Sequence, residues 1–221
     1  VSNKGLTIKR IVSSKSSEYE HMKSLLIETF PACEYRDLGE LQNLVDSDRD
    51  CDFYSNLVYL DDIPVGFINF WLIRLDSSNT KTENIPEVLK NELSVVTYIE
   101  HFAIDPSYRN GQLGSRVLNY FLTSYYPNLI PKSREEYQEP KFVVLEVEKP
   151  INASSDELSA RRIRFYERLG FILLNIDYQQ PPYRAGYEFI PMYLMSFGAI
   201  PPESTLQMIK SLIYKHVYRL I

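Results

Sequence analysis

Apolar side chains return every three or four positions over 16–30 (Met22, Leu25, Leu26, Phe30), 37–46 (Leu38, Leu41, Leu44) and 113–126 (Val117, Leu118, Phe121, Leu122). That spacing lets one face of a helix bury while the other stays wet, and it predicts a helix in each stretch. Further helices are expected over 159–169 and 205–218. Pro31 stops the first helix, and Gly170 ends the 159–169 helix because glycine takes the left-handed conformation without strain. Runs rich in β-branched and aromatic residues predict strands at 6–12, 53–60, 64–75, 94–104, 142–148, 171–177 and 186–197. The turn-like link Asp61-Asp62-Ile63 makes 53–60 and 64–75 a hairpin. The polar segment 76–91 reads as an exposed loop of a length that is often functional.

Strand–helix–strand–helix–strand from 94 to 177 demands at least one parallel crossover, because a parallel strand cannot be reached by a tight hairpin. The expected class is therefore α/β, a mixed sheet with helices on both faces. A chain of 221 residues predicts one domain over 1–221, with 200–221 as a C-terminal helical extension. The formal charge of −5 gives no general attraction for nucleic acid, although a local basic patch can still hold a phosphorylated cofactor. No run approaches the ~18 apolar residues of a membrane span. No apolar signal core opens the chain, so cytoplasmic residence is the expectation. Cys33 and Cys51 are too few for a disulfide framework, though a bond between them stays open. With so few Cys and His no metal site is expected. Seventeen Tyr against one Trp is unusual. Tyrosine joins an apolar ring to a polar tip, which suits semi-polar pockets as well as an ordinary core.

The densest chemistry lies in 98–122, YIEHFAIDPSYRNGQLGSRVLNYFL. A strand runs into the turn Arg109-Asn110-Gly111-Gln112-Leu113-Gly114-Ser115 and then into a helix. A helix start offers unpaired N–H groups and the positive end of the helix dipole, and small residues there let an anion reach the backbone. The segment resembles the acetyl-CoA-binding motif of the GNAT N-acetyltransferase superfamily, Arg/Gln-x-x-Gly-x-Gly/Ala at a helix start. Arg109 matches its first position and Gly114 its last, while Gln112 replaces the usual first glycine and Gly111 stands one residue earlier. Downstream, Val143–Val147 followed by Arg164-Phe165-Tyr166-Glu167-Arg168-Leu169-Gly170-Phe171 resembles the later strand and helix of that superfamily, in the same order. The resemblance covers about 6–197.

The resemblance implies a twisted mixed sheet of about six to seven strands with a V-shaped splay between two central parallel strands, where acetyl-CoA enters as co-substrate. By analogy Phe102, Ala103 and Ile104 pair with the pantetheine arm. The amides of Asn110, Gly111, Gln112, Leu113, Gly114 and Ser115 hold the pyrophosphate, and Arg109 adds a charge-assisted contact or merely caps the loop. Glu100 is the implied general base, since an alkyl ammonium near pKa ~10.4 must lose a proton before it attacks a thioester. Its structural alternative is a pair with a nearby Arg, and His101 is the neighbouring competitor. Tyr166 is the implied general acid for the leaving thiolate, with packing on Phe171 as its alternative. Glu146 either helps to bind the cationic amine or lies on the polar face of its strand. Arg161, Arg164 and Arg168 share a helix face that meets CoA phosphates or solvent.

The function expected is transfer of an acetyl group to a primary amine, on a small molecule or a peptide, by direct attack in a ternary complex. No nucleophile elbow suggests an acyl-enzyme. The competing class is a non-catalytic acyl-CoA-binding regulatory module. The Pro-stiffened aromatic loop Tyr178-Gln179-Gln180-Pro181-Pro182-Tyr183 either shapes the acceptor pocket or supplies a homodimer contact.

Overall fold

The computed structural model describes residues 5–47, 52–74, 95–109, 111–129, 142–150, 157–198 and 200–220. The loop expected at 76–91 and the segment 133–139 lie outside them. The chain packs as two units. The described residues of 1–70, 99–131 and 183–187 form the first, and those of 71–98, 132–182 and 188–221 the second.

In the first unit, strand β1 (Leu6–Arg10) pairs antiparallel with β2 (Phe53–Leu60), Leu6 opposite Leu60. Asp61 and Asp62 both take positive φ, 49° and 65°, and turn the chain into β3 (Ile63–Arg74). Two successive positive φ values are those of a tight hairpin turn, and aspartate tolerates them better than most side chains. Helix α1 (Ser17–Thr29) starts where the Ser16 side chain accepts from the Tyr19 amide at 3.1 Å, and it buries Tyr19, Met22, Leu25 and Leu26. Helix α2 (Leu38–Asp46) is capped in the same way by Asp37 on the Gly39 amide at 2.8 Å. Strand β4 (Val95–Ile104) ends in this unit and leads to helix α3 (Leu113–Tyr120).

In the second unit, β5 (Phe142–Glu148) and β6 (Phe171–Leu173) both lie antiparallel to β8 (Ile190–Gly198), opposite Phe197 at Val143 and at Phe171 respectively. Strands β5 and β6 thus run the same way with β8 inserted between them. A short β7 (Tyr178–Gln180) also pairs with β8. Helix α4 (Glu157–Glu167) connects β5 to β6, and α5 (Glu203–His216) buries Leu206, Ile209, Leu212 and Ile213. Hydrogen-bonded neighbours follow β1-β2-β3-β4-β5-β8-β6, with β4 and β5 parallel. The mixed α/β sheet and its parallel crossover are those expected.

Three boundaries differ from the sequence reading by more than two residues. The strand expected at 171–177 stops at Leu173, because the Ile176 amide bonds back to the Leu174 carbonyl at 3.0 Å and turns the chain. The strand expected at 186–197 begins at Ile190, after Gly186 at φ 91°. The helix expected over 113–126 is α-helical to Tyr120, widens into a π turn over Phe121–Tyr125 and tightens over Tyr126–Leu129. The wide turn sets the Phe121 ring 6.2 Å from Tyr125 and 5.4 Å from Tyr126.

Candidate active site

Strand β4 ends at Ile104, and Asp105 caps a single 3-10 turn by accepting from the Ser107 amide at 2.8 Å. Arg109 folds back, its Nε donating to the Ile104 carbonyl at 2.8 Å. Gln112 then adopts φ 58°, ψ 11°, the left-handed conformation, and makes no side-chain cap on α3. A residue with a Cβ in that conformation costs roughly 1–2 kcal/mol. The glycine absent from the motif here is therefore absent at a position whose backbone suits glycine. Buried Leu113 anchors the helix start, while Gly114 and Ser115 are half-buried. A Cβ built on Gly111 would have nothing within 4 Å. The result is an uncapped helix start with clear space before it, whose amides and dipole suit a phosphate. Asn110, assigned to the same cradle, lies outside the described residues.

The strand leading into this turn is held close to β3. A Cβ on Gly66 would meet the Ala103 carbonyl oxygen at 2.4 Å and the Ile104 Cα at 3.2 Å, and the Asp105 amide donates to the Val65 carbonyl at 2.9 Å. Only glycine allows that approach. Ala103 and Ile104 are buried and Phe102 is half-buried.

Glu100 sits further back on β4 with its side chain 1% exposed. Arg36, from the link between α1 and α2, donates to its Oε1 from Nε at 3.1 Å and from NH2 at 2.5 Å. The same guanidinium reaches Glu40 at 2.9 Å and lies over the Tyr183 ring at 5.0 Å. Burial alone would raise the Glu100 pKa. The Arg36 charge, the nearby His101 and hydrogen bonds from Arg36 and Tyr183 act the other way and hold it below the usual carboxylate value. The pairing with an arginine named as the structural alternative is therefore present. His101 is buried, with Nε2 2.9 Å from the Glu34 carbonyl. A carbonyl only accepts, so Nε2 carries the proton. Burial holds this imidazole's pKa below its ordinary value, and Arg36 adds to the effect against the pull of Glu100.

Tyr166 belongs to the second unit, on α4. Its ring meets Phe165 and Phe171 edge-on, with centroids 5.1 and 5.6 Å away. Burial pushes the phenol up to about 12, so at neutral pH it keeps its proton. Arg161, Arg164 and Arg168 are exposed, and Arg162 pairs with Glu148 at 2.5 Å. Glu146 on β5 sits among tyrosines rather than on a plain polar face. Tyr178 donates to its Oε1, and Tyr218 donates to Oε1 at 3.0 Å and to Oε2 at 3.1 Å. The sequence reading missed Arg36 and the partners Tyr98, Tyr178 and Tyr218. The surplus of tyrosine was the available signal for the latter, but nothing in the spacing joined residues 120 positions apart. Among the described residues no group of His, Cys, Asp or Glu could hold a metal, and Cys33 is a free thiol.

The sequence profile of the Acetyltransferase (GNAT) family matches residues 16–171. The chain belongs to the GNAT family. It is similar to a Bacteroides thetaiotaomicron protein assigned to the GNAT acetyltransferases, with 34% identity over 97% of this chain and 99% of that one and a TM-score of 0.72. The fold is shared at lower identity with two Arabidopsis thaliana proteins. Naa50, in complex with the bisubstrate analogue CoA-Ac-MVNAL, gives a TM-score of 0.52 at 18% identity over 88% of this chain and 99% of that chain. NAA60 in complex with acetyl-CoA gives 0.55 at 19% over 87% and 97%. No curated protein matches the sequence. As a GNAT member the chain is an acyltransferase, and among its described residues no helix is long and apolar enough to cross a membrane.

Proposed function

We propose that this GNAT protein moves an acetyl group from acetyl-CoA to a primary amine, on a small molecule or a peptide, by direct attack in a ternary complex. The observation that carries the reading is the uncapped start of α3 with the clear space at Gly111. Amides from Asn110 to Ser115 would hold the pyrophosphate there, and Arg109 would add a charge-assisted contact. The backbone of Phe102, Ala103 and Ile104 would pair with the pantetheine arm. The acetyl-CoA and the peptide-bearing bisubstrate analogue in the Arabidopsis relatives support this choice of donor and of an amine acceptor.

Bound acetyl-CoA supplies the thioester. In this reading Glu100, ionised at neutral pH, assists removal of the ammonium proton, directly or through a water. The grip of Arg36 weakens it as an acceptor, so its effect falls at the low end of the ~10²–10⁴-fold range of general acid–base catalysis. Tyr166, holding its proton up to about pH 12, donates to the departing thiolate.

The test is thiol release from acetyl-CoA against a panel of amines, in wild type, Glu100→Gln and Tyr166→Phe, with acetyl-CoA affinity measured alongside. Amine-dependent release that drops by about 100-fold in each variant, at unchanged affinity, is the expected result. Binding without turnover on any amine would point instead to an acyl-CoA-binding module.

A further inference from the structure

Arg184 follows Pro181 and Pro182 in the link from β7 to β8 and belongs to the first unit. The Tyr187 amide donates to its carbonyl at 3.4 Å, closing a turn around Gly186. Its guanidinium lies over the Tyr35 ring at 5.0 Å, and its NH2 donates to the Arg36 carbonyl at 3.2 Å. Tyr35 is buried, so the arginine is held against the link between α1 and α2. A guanidinium carries five N–H donors and a permanent charge. One donor is spent on the Arg36 carbonyl. Nε is buried with no hydrogen-bond partner, and among the described residues no carboxylate pairs with the group. The residue is only half-buried, so part of it still meets solvent. Arg36 next to it is different, because Glu100 and Glu40 both answer its charge.

The position of this unanswered charge is informative. Arg36 touches Arg184 through its carbonyl and holds Glu100 with its guanidinium. Tyr183, the residue before Arg184, hydrogen-bonds Glu100 and sets its ring under Arg36. The phosphates of acetyl-CoA are assigned to the start of α3, beyond the far end of β4, whereas Arg184 stands on the Glu100 side, where the amine has to arrive. We infer that Arg184 anchors a carboxylate of the acceptor, which makes the substrate an amino acid or another small amine bearing a carboxylate. The inference rests on the amine-acetyltransferase reading above and narrows it. The ammonium turns toward Glu100, and the carboxylate takes N–H groups that Arg184 does not spend on the protein. The planar fork of a guanidinium matches the two oxygens of a carboxylate. Stacking on Tyr35 orders the fork before the acceptor arrives, which lowers the entropy lost on binding. An amine without the carboxylate leaves that cation unpaired and is discriminated against for that reason.

The experiment offers the common amino acids, each as the free acid and as its α-amide, to wild type, Arg184→Gln and Arg184→Lys. Acetyl-CoA affinity is measured on the same samples. The deciding quantity is the ratio of kcat/KM for the acid to kcat/KM for the amide, compared between proteins, because intrinsic differences in amine reactivity cancel in that comparison. Arg184→Gln is expected to lower the ratio by about tenfold or more for the acid that wild type uses fastest, at unchanged acetyl-CoA affinity. Arg184→Lys keeps the charge without the fork and recovers part of the loss. It also serves as the test if the Gln variant does not fold. Equal losses on acid and amide would mean that Arg184 only braces the two links, and would overturn the inference. A wild type that acetylates amides or plain amines such as cadaverine and tyramine but no free acid would overturn it while leaving the acetyltransferase reading intact. A wild type that binds acetyl-CoA but acetylates no amine would overturn that reading, and the inference with it.

Discussion

Arg36 is 2% exposed and fully charged, and what makes this tolerable is the carboxylate it holds. A buried pair is dangerous to break from one side, because the remaining charge is stranded. Arg36→Met is expected to cost about 3–5 kcal/mol in urea unfolding, and the double variant Arg36→Met/Glu100→Gln to recover much of it. The same residues set the acid response. Glu100 and His101 both have folded-state pKa values below the ordinary 4.5 and 6.5, so in acid the unfolded chain takes up more protons than the folded one. Stability is therefore fully present above pH 6.5, begins to fall as His101 titrates in the unfolded chain, and falls further below 4.5. His216, also lowered by burial, adds to the first step. A stability that rises on acidification between 6.5 and 4.5 would contradict these assignments. None of this was legible at Arg36 from the sequence. One arginine between two helices carries no period, and its partner lies 64 residues away.

At the scale of elements, periodicity found the helices and all the strands but β7, which lies where the sequence reading has an aromatic loop, and it failed where a local bond overrode it. The turn at Leu174–Ile176 and the π turn at Phe121–Tyr125 both interrupt apolar runs that look continuous. The cradle was legible because its residues are contiguous. The reason for its setting was not, since Gly66 reads as an ordinary strand glycine until β4 is seen against it. Gly66→Ala places a methyl 2.4 Å from the Ala103 carbonyl, and a backbone atom cannot swing aside as a side chain can. The expected outcome is a loss of about 1–3 kcal/mol in stability together with weaker acetyl-CoA binding, as β4 is displaced at the residues proposed to pair with pantetheine. Unchanged affinity in a stably folded Gly66→Ala protein would argue against that role for Ala103 and Ile104.

For the whole molecule, the order of elements was enough to indicate a mixed sheet with a parallel crossover, because connection rules leave few alternatives. The tyrosine cluster was out of reach, since it joins β4, β5, β7 and the chain after α5. The central claim is that the open helix start at Gly111 is the seat of acetyl-CoA, and Gly111 offers a direct test. A side chain there meets nothing within 4 Å of its Cβ, so the fold should tolerate it while a bound pyrophosphate would not. The measurement is calorimetric titration of wild type and Gly111→Val with acetyl-CoA, with melting temperatures taken on the same samples. One molecule of acetyl-CoA bound per wild-type chain, and binding weakened by about tenfold or more in a Gly111→Val protein that melts like wild type, is the predicted result. Wild-type protein that does not bind acetyl-CoA, or a variant that binds it equally well, would contradict the assignment.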